Sequence, residues 1–343
     1  MLLERFGTAE SAIEALPGLA SRAGRGRPPS IPSKAIIKAE VERILRHGAQ
    51  LIAACEPDYP EALAAIEDAP PVIVVGRNAA LLQRPCIAIV GARNASLNGR
   101  RIAGKLATDL SDAGLVVVSG LARGIDTQAH RAALAGGTIG VVAGGIDVAY
   151  PSENASLQAE IFEKNCLVSE LPLGTEPIAR HFPRRNRIIS GLAPGVIVVE
   201  AARHSGSLIT ARMALEQGRD VFAVPGSPLD PRAQGTNNLI RDGAILTETA
   251  DDVLRELSME RIRPVHRISA QTDSPSAPQD GADSELNEAR HLVLEALGPS
   301  PIAVDELVRD CQVSLPVVLT ILLELELAGR LERQSGHQVS LIS

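Results

Sequence analysis

Residues 87–130, IAIVGARNASLNGRRIAGKLATDLSDAGLVVVSGLARGIDTQAH, constrain the fold more than any other part of the chain. They hold two strand–glycine turn–helix units in succession. Ile87, Ala88, Ile89 and Val90 form a short apolar run that stops at Gly91, and a helix-period segment follows over 97–113 before Gly114. Residues 115–118 are a second β-branched run, stopped by Ser119 and Gly120, and a second helix begins near Ile125. Apolar runs this short, bounded by glycine and alternating with helices, read as parallel strands buried on both faces. In such a sheet the ligand site lies where strand ends meet helix starts. Free backbone N–H groups and the helix dipole favour an anion there. The pattern therefore predicts a phosphate-bearing ligand over these turns.

The alternation continues to about residue 257, with further strands predicted at 138–143, 167–169, 196–199, 221–224 and 244–246. This is an α/β, doubly wound, mostly parallel sheet. Residues 1–50 read as a small helical segment, with a short helix at 11–16, a Gly/Pro/Arg-rich connector at 17–32 and a helix at 33–47. Residues 51–260 form the sheet domain, and 261–283, rich in Ser, Pro, Gln and Asp, read as a flexible linker. Residues 284–343 carry three helices and a strand–turn–strand, the pattern of a winged helix.

The net charge of −7 excludes a protein coated in basic residues, so any nucleic-acid site is a local patch on an acidic body. With no Trp, two Tyr and four Phe, an extensive base-stacking platform is not expected. Cys55, Cys86, Cys166 and Cys311 are scattered, without CxxC or Cys/His clustering, so neither a metal site nor a disulfide framework is expected. No signal peptide and no apolar stretch of bilayer length is visible, which gives a cytoplasmic reading.

The first turn, Gly91-Ala92-Arg93, lacks GxGxxG and so lacks the dinucleotide fingerprint. Arg93 emerges just past the strand, placed either to fork onto a phosphate or to tie loops through carboxylates. The second turn, from Ser119 through Gly120 to Gly124, has the small residues that let backbone approach an anion. Asp126 and His130 follow at a spacing of four. With no nucleophile or metal partner in view, a structural contact is preferred to an acid–base pair. Residues 177–199 contain Arg180, His181, Arg184, Arg185 and Arg187 around Phe182, with no Asp or Glu, which fits phosphate contact beside one stacking ring. A third turn, EAARHSGSLIT at 200–210, sets Ser205, Gly206 and Ser207 at a helix start, where they cap the helix and can also hold an anion. From Asn287 to the end there are four arginines and eight acidic residues, and the third helix carries Glu324 and Glu326. That balance argues against reading a DNA groove and for a protein-binding or regulatory role.

Taken in series, IAIVGAR, VVSGLARGID, AGGIDVAYPSEN, SELPLG, FPRRNRIISGL, EAARHSGSLITARMALEQGR, VFAVPG and GTNNLIRDGA resemble the DNA processing protein A (DprA/Smf) family over about 170 residues. The resemblance implies an extended Rossmann-like domain without catalysis or cofactor. It implies binding and protection of incoming single-stranded DNA, loading of RecA during natural transformation, and a homodimer through the Rossmann-like domain. Arg93, the turn from Ser119 to Gly124 and the FPRRNR segment would line the DNA pocket. The N-terminal part is similar to the second half of the family's sterile-alpha-motif-like or helix–hairpin–helix domain, its first helices missing before Met1. The reading from a different class is a nucleotide-cleaving enzyme on the same glycine turns, with Asp126 and His130, or Glu200, as its catalytic candidates.

Overall fold

The computed structural model describes residues 6–22, 31–260, 289–294, 296–297, 302–334 and 338–341. Two compact units divide the chain: Lys34–His266 is one, and the two ends, Met1–Ser33 with Arg267–Ser343, form the other.

The first helix, α1, is Ala9–Arg22. The larger unit then runs α2 (Lys34–His47), β1 (Gln50–Ala53), α3 (Glu61–Ala64), β2 (Val72–Val75), β3 (Cys86–Gly91), α4 (Leu97–Asp112), β4 (Val116–Ser119) and α5 (Ile125–Ala133). It continues through β5 (Thr138–Val141), α6 (Ala155–Lys164), β6 (Cys166–Ser169), α7 (His181–Gly191), β7 (Gly195–Val199) and α8 (Ser207–Glu216). It ends with β8 (Asp220–Ala223), α9 (Gln234–Arg241), β9 (Ile245–Leu246) and α10 (Ala250–Glu260). The nine strands make one sheet in the order β1-β2-β6-β5-β4-β3-β7-β8-β9. Pairing is parallel from β6 through β9, and β1 and β2 join one edge antiparallel.

The strands are buried on both faces because their side chains alternate between two cores. Ile87, Ile89, Val117 and Val199 pack with Leu106 and Leu110 of α4 and Ala129 of α5. Ala88, Val90, Val118 and Val198 point the other way, into the cluster that holds Ile188 and Ile189 of α7 and Ala211 of α8. The chain leaves β3 toward β4 on one side and later returns to place β7 on the other. Pairing of Ala88 with Val196 through Gly91 with Val199 marks this reversal. A crevice opens beyond the carboxyl ends of such neighbours.

Gly91 makes that junction possible. A Cβ on it would lie 1.9 Å from the Val199 carbonyl oxygen and 2.7 Å from Ile125 Cγ1. Its missing side chain thus admits the neighbouring strand rather than a ligand. Gly124 has φ +78°, and a Cβ there would lie 2.3 Å from the Ala92 carbonyl oxygen.

Helix α1 runs through Pro17 to Arg22, beyond the end expected at residue 16. Proline forfeits one backbone bond, but Ala12 and Leu19 on this helix are buried, and tertiary packing holds it. Within the smaller unit α1 packs against α12 (Leu315–Leu327), which follows α11 (Val304–Cys311). A three-stranded antiparallel sheet of β10 (Ile302–Ala303), β12 (Gln338–Leu341) and β11 (Leu331–Gln334) completes a winged helix. Its core includes Leu307, Ile321, Leu325 and Val339. Glu324, buried on α12, pairs with Arg290, and Glu326 accepts from Arg333 Nε at 3.0 Å. The predicted linker at 261–283 and the turn at Ser335-Gly336 lie outside the described residues, as does part of the helix expected at 285–297.

Gly91→Ala is expected to lower stability by about 1–3 kcal/mol, the cost of overpacking a rigid site. Gly206→Ala, whose Cβ would meet nothing within 4 Å, leaves it unchanged. Urea unfolding midpoints of the two variants check this.

Candidate nucleic-acid interface

Beyond the carboxyl ends of β3 and β7 lies a cavity of about 770 Å³. Gly91 and Arg93 enter it from the end of β3, and Ala122 and Asp126 from the β4–α5 turn. Phe182, Arg185 and Asn186 come from α7, and the loop after β7 contributes Arg203, His204, Ser205, Gly206 and Ser207. Arg232 and Gln234 close the side nearest α9.

Cations outnumber anions on this surface. Arg93 is exposed, and its guanidinium lies over the Phe182 ring at 5.4 Å. The Tyr150 ring sits 5.5 Å from Phe182, tilted by 57°. Proline at 183 suits the first turn of α7 and fixes where Phe182 leaves the helix. The loop carrying Arg93 is pinned by Glu200. That carboxylate accepts from the Ser96 hydroxyl at 2.5 Å and the Ser96 N–H at 2.8 Å, while Ser96 itself caps α4 through Gly99 N–H. Glu200 has φ +52°, a strained conformation held by these bonds. Arg232 is partly neutralised, forked onto Asp230 at 2.9 and 3.0 Å.

Arg185 forms the cationic floor. It is buried, and its Nη1 donates to the carbonyls of Gly120 at 2.6 Å and Val141 at 2.7 Å. Its Nε has no hydrogen-bond partner. Burial pushes its pKa down to about 10 against the pull of Asp126, so it stays charged at neutral pH. Asp126 is buried beside it and accepts from the N–H groups of Gly120 at 3.1 Å and Ala122 at 3.3 Å. Burial raises its pKa, and Arg185 opposes the shift.

His130 lies beneath this turn without touching the cavity lining. The Thr138 hydroxyl donates to the Val117 carbonyl at 2.7 Å, so it accepts from His130 Nδ1–H at 2.7 Å. His130 Nε2 then accepts from the Leu121 N–H at 3.3 Å. Both ring nitrogens are used by a neutral imidazole, and burial lowers its pKa to about 3. The folded value lies below the unfolded value near 6.5, so the stability this group contributes is complete above about pH 6.5 and declines as pH falls toward 3. A His130→Asn variant, which cannot titrate, is therefore expected to show a stability deficit that is largest at neutral pH and narrows on acidification. Urea titrations from neutral to acidic pH read this out.

Six of the residues that the sequence singles out for phosphate contact meet at the cavity, Gly91, Arg93, Arg185, Ser205, Gly206 and Ser207, together with Phe182 and Asp126. The others lie elsewhere. The Ser119 hydroxyl donates to the Ile89 carbonyl at 2.6 Å and is fully buried. The space over Gly120 is filled by the Arg185 guanidinium, 2.0 Å from where a Cβ would stand. Gly124 faces the Ala92 and Arg93 backbone. Arg180 is exposed outside the lining. Arg187 is buried and bonded to Glu170 at 2.6 Å, which Arg184 also meets at 3.3 Å. The arginine segment contains no acid of its own, but the fold brings Glu170 and Asp68 to it from distant positions. Sequence reasoning missed Arg203, Arg232 and Gln234, whereas Asn186 belongs to the FPRRNR segment expected at the pocket. Arg203 stood beside the singled-out serines as the nearest cation to that turn, and Arg232 and Gln234 lacked a local signal.

Residues 50–258 match the DNA recombination-mediator protein A family. Residues 1–42 match the DprA-like N-terminal HHH domain, and 275–337 the DprA winged helix domain. Protein Smf of Escherichia coli is 40% identical over 298 residues, which span 85% of this chain and 77% of that protein. The crystal structure of DNA processing protein A from Streptococcus pneumoniae superposes with a TM-score of 0.62 at 43% identity, over 66% of this chain and 78% of that one. DNA processing protein A from Helicobacter pylori, described for its single-stranded DNA binding mode, gives a TM-score of 0.56 at 29% identity, over 62% of this chain and 96% of that one. With the sheet that builds the cavity and both ends of the chain matched in this way, the chain belongs to the DNA recombination-mediator protein A family, the DprA/Smf DNA processing proteins.

Proposed function

We propose that this chain binds single-stranded DNA in the switch-point cavity and, without catalysing a reaction, hands the strand to RecA. The observation that carries the reading is Arg93 over Phe182 at the cavity lip, with Arg185 buried below. The two arginines supply charge for phosphate, and Phe182 with Tyr150 supplies ring faces for bases. Only an unpaired strand offers bases to such an edge, because duplex bases are already stacked. The single-stranded DNA binding mode described for the Helicobacter pylori relative supports the same assignment. The rest of the proposal rests on family membership: a homodimer through the sheet domain, and action in the cytoplasm on strands taken up during natural transformation.

Binding is expected to weaken with salt. Neutralising about three to five phosphates gives a slope of log affinity against log salt of roughly −2 to −3.5. Arg93→Ala should weaken binding of labelled oligo-dT by about 1–3 kcal/mol, the cost of losing a charge-assisted contact. It should also slow the assembly of RecA on the strand in the presence of this protein. Fluorescence anisotropy at two salt concentrations and a RecA filament-assembly assay measure both. Salt-independent affinity, or full RecA assembly with a variant that no longer binds DNA, overturns the proposal.

One observation favours a nucleotide-cleaving alternative: a buried carboxyl of raised pKa, Asp126, lines the cavity. Its hydrogen bonds go to backbone N–H groups of its own turn, His130 is spent on Thr138 and Leu121, and Glu200 is spent on Ser96. No free acid–base pair remains among these candidates. Incubation with nucleoside monophosphates should release no base. Turnover that disappears in Asp126→Asn would replace the mediator reading with an enzymatic one.

A further inference from the structure

A second cavity of about 260 Å³ adjoins the first, and Arg203 and Gln234 line both. Its other walls are Pro228 and three residues of α9, namely Asn237, Asn238 and Arg241. Gln234, Asn237, Asn238 and Arg241 recur at the three- and four-residue spacing of one helix face, so α9 presents a continuous polar stripe to this space.

The stripe is built rather than merely solvated. Asn237 Nδ2 donates to the Gly226 carbonyl at 2.9 Å, and its Oδ1 accepts from the Gly226 N–H at 3.1 Å, which clamps the loop after β8 against α9. Arg241 Nη1 donates to Asn238 Oδ1 at 2.7 Å, so the guanidinium is steered by a neutral amide and not by a carboxylate. Among the described residues, neither Arg203 nor Arg241 has a carboxylate within ion-pair distance, and no acidic residue lines this cavity. Arg232, which lines the first cavity alone, is by contrast paired with Asp230. Two arginines without a carboxylate partner beside the exposed Gln234 amide make a site for a phosphodiester with a polar base edge next to it.

We infer that this second cavity is a subsite for the adjacent nucleotide of the strand held in the first. Arg203 and Arg241 flank the phosphate that passes between the cavities, and the Gln234 amide offers both donor and acceptor to the base. This rests on the single-stranded DNA reading and goes beyond it, because it sets the direction in which the strand leaves the main cavity: past Arg203, along α9.

The test is a length series of labelled oligo-dT, from about two to about twelve nucleotides, on the full chain. Arg241→Ala should bind the shortest oligomers like the native protein and the longest about tenfold more weakly, with a salt slope shallower by about 0.7, the loss of one phosphate contact. Arg241→Lys should restore the slope. Arg241 is exposed, so circular dichroism of the variants should match the native protein. Equal affinity of Arg241→Ala and native protein for every oligomer, while Arg93→Ala weakens them all, overturns the subsite and leaves the main cavity standing. A native protein that binds no oligomer of any length overturns the DNA reading itself, and the subsite with it.

Discussion

A guanidinium buried beneath the strand ends is the constraint on which the site depends. Arg185 gives two hydrogen bonds to the carbonyls at the ends of β4 and β5 and faces the Asp126 carboxyl. Removing a charge from water costs several kcal/mol unless partners replace the lost hydration. Here two backbone carbonyls do so, with the Asp126 carboxyl beside the guanidinium, and they thereby lock α7 onto the β4–α5 turn. Once that lock is set, Phe182 at the start of α7 stands beside the end of β3, and Arg93 finds its ring. Gly120 is the position that permits it, because any side chain there would collide with the guanidinium.

A second lock acts from the opposite wall. Glu200, just past β7, reaches the start of α4 and fixes the loop between β3 and α4. The two loops at the switch point are therefore one rigid piece. The positive lip of the cavity is displayed by elements that are each held independently of any ligand, which is the arrangement expected of a binding site that works by preorganised charge.

The fold was largely legible because its signal is short-range. β-branched runs cut off by glycine give buried parallel strands wherever they alternate with helices, and the winged helix was visible in the same way. The site was legible in part. Arg93, Arg185 and the serine turn follow directly from strand ends, which the sequence marks. Ser119, Gly120, Gly124 and Arg187 carry the same local signature yet serve packing, because their partners Ile89, Arg185, Ala92 and Glu170 lie far off in sequence. An acid-free window misled for the same reason: Asp68 and Glu170 reach Arg187 through space. The acidic third helix of the winged domain also changes meaning, since Glu324 and Glu326 are held by Arg290 and Arg333 within that domain.

The grouping of the two chain ends into one compact unit has a consequence for how the molecule is made. Helix α1 precedes the sheet unit in the chain, while α12, against which it packs, follows it. The sheet unit between them has its own cores and all its strands in an unbroken run, so it can form as soon as it has emerged. The smaller unit cannot. Helix α1 must wait for α12, and a synthesis interrupted after the sheet unit would leave a finished sheet beside a helix that lacks its packing partner.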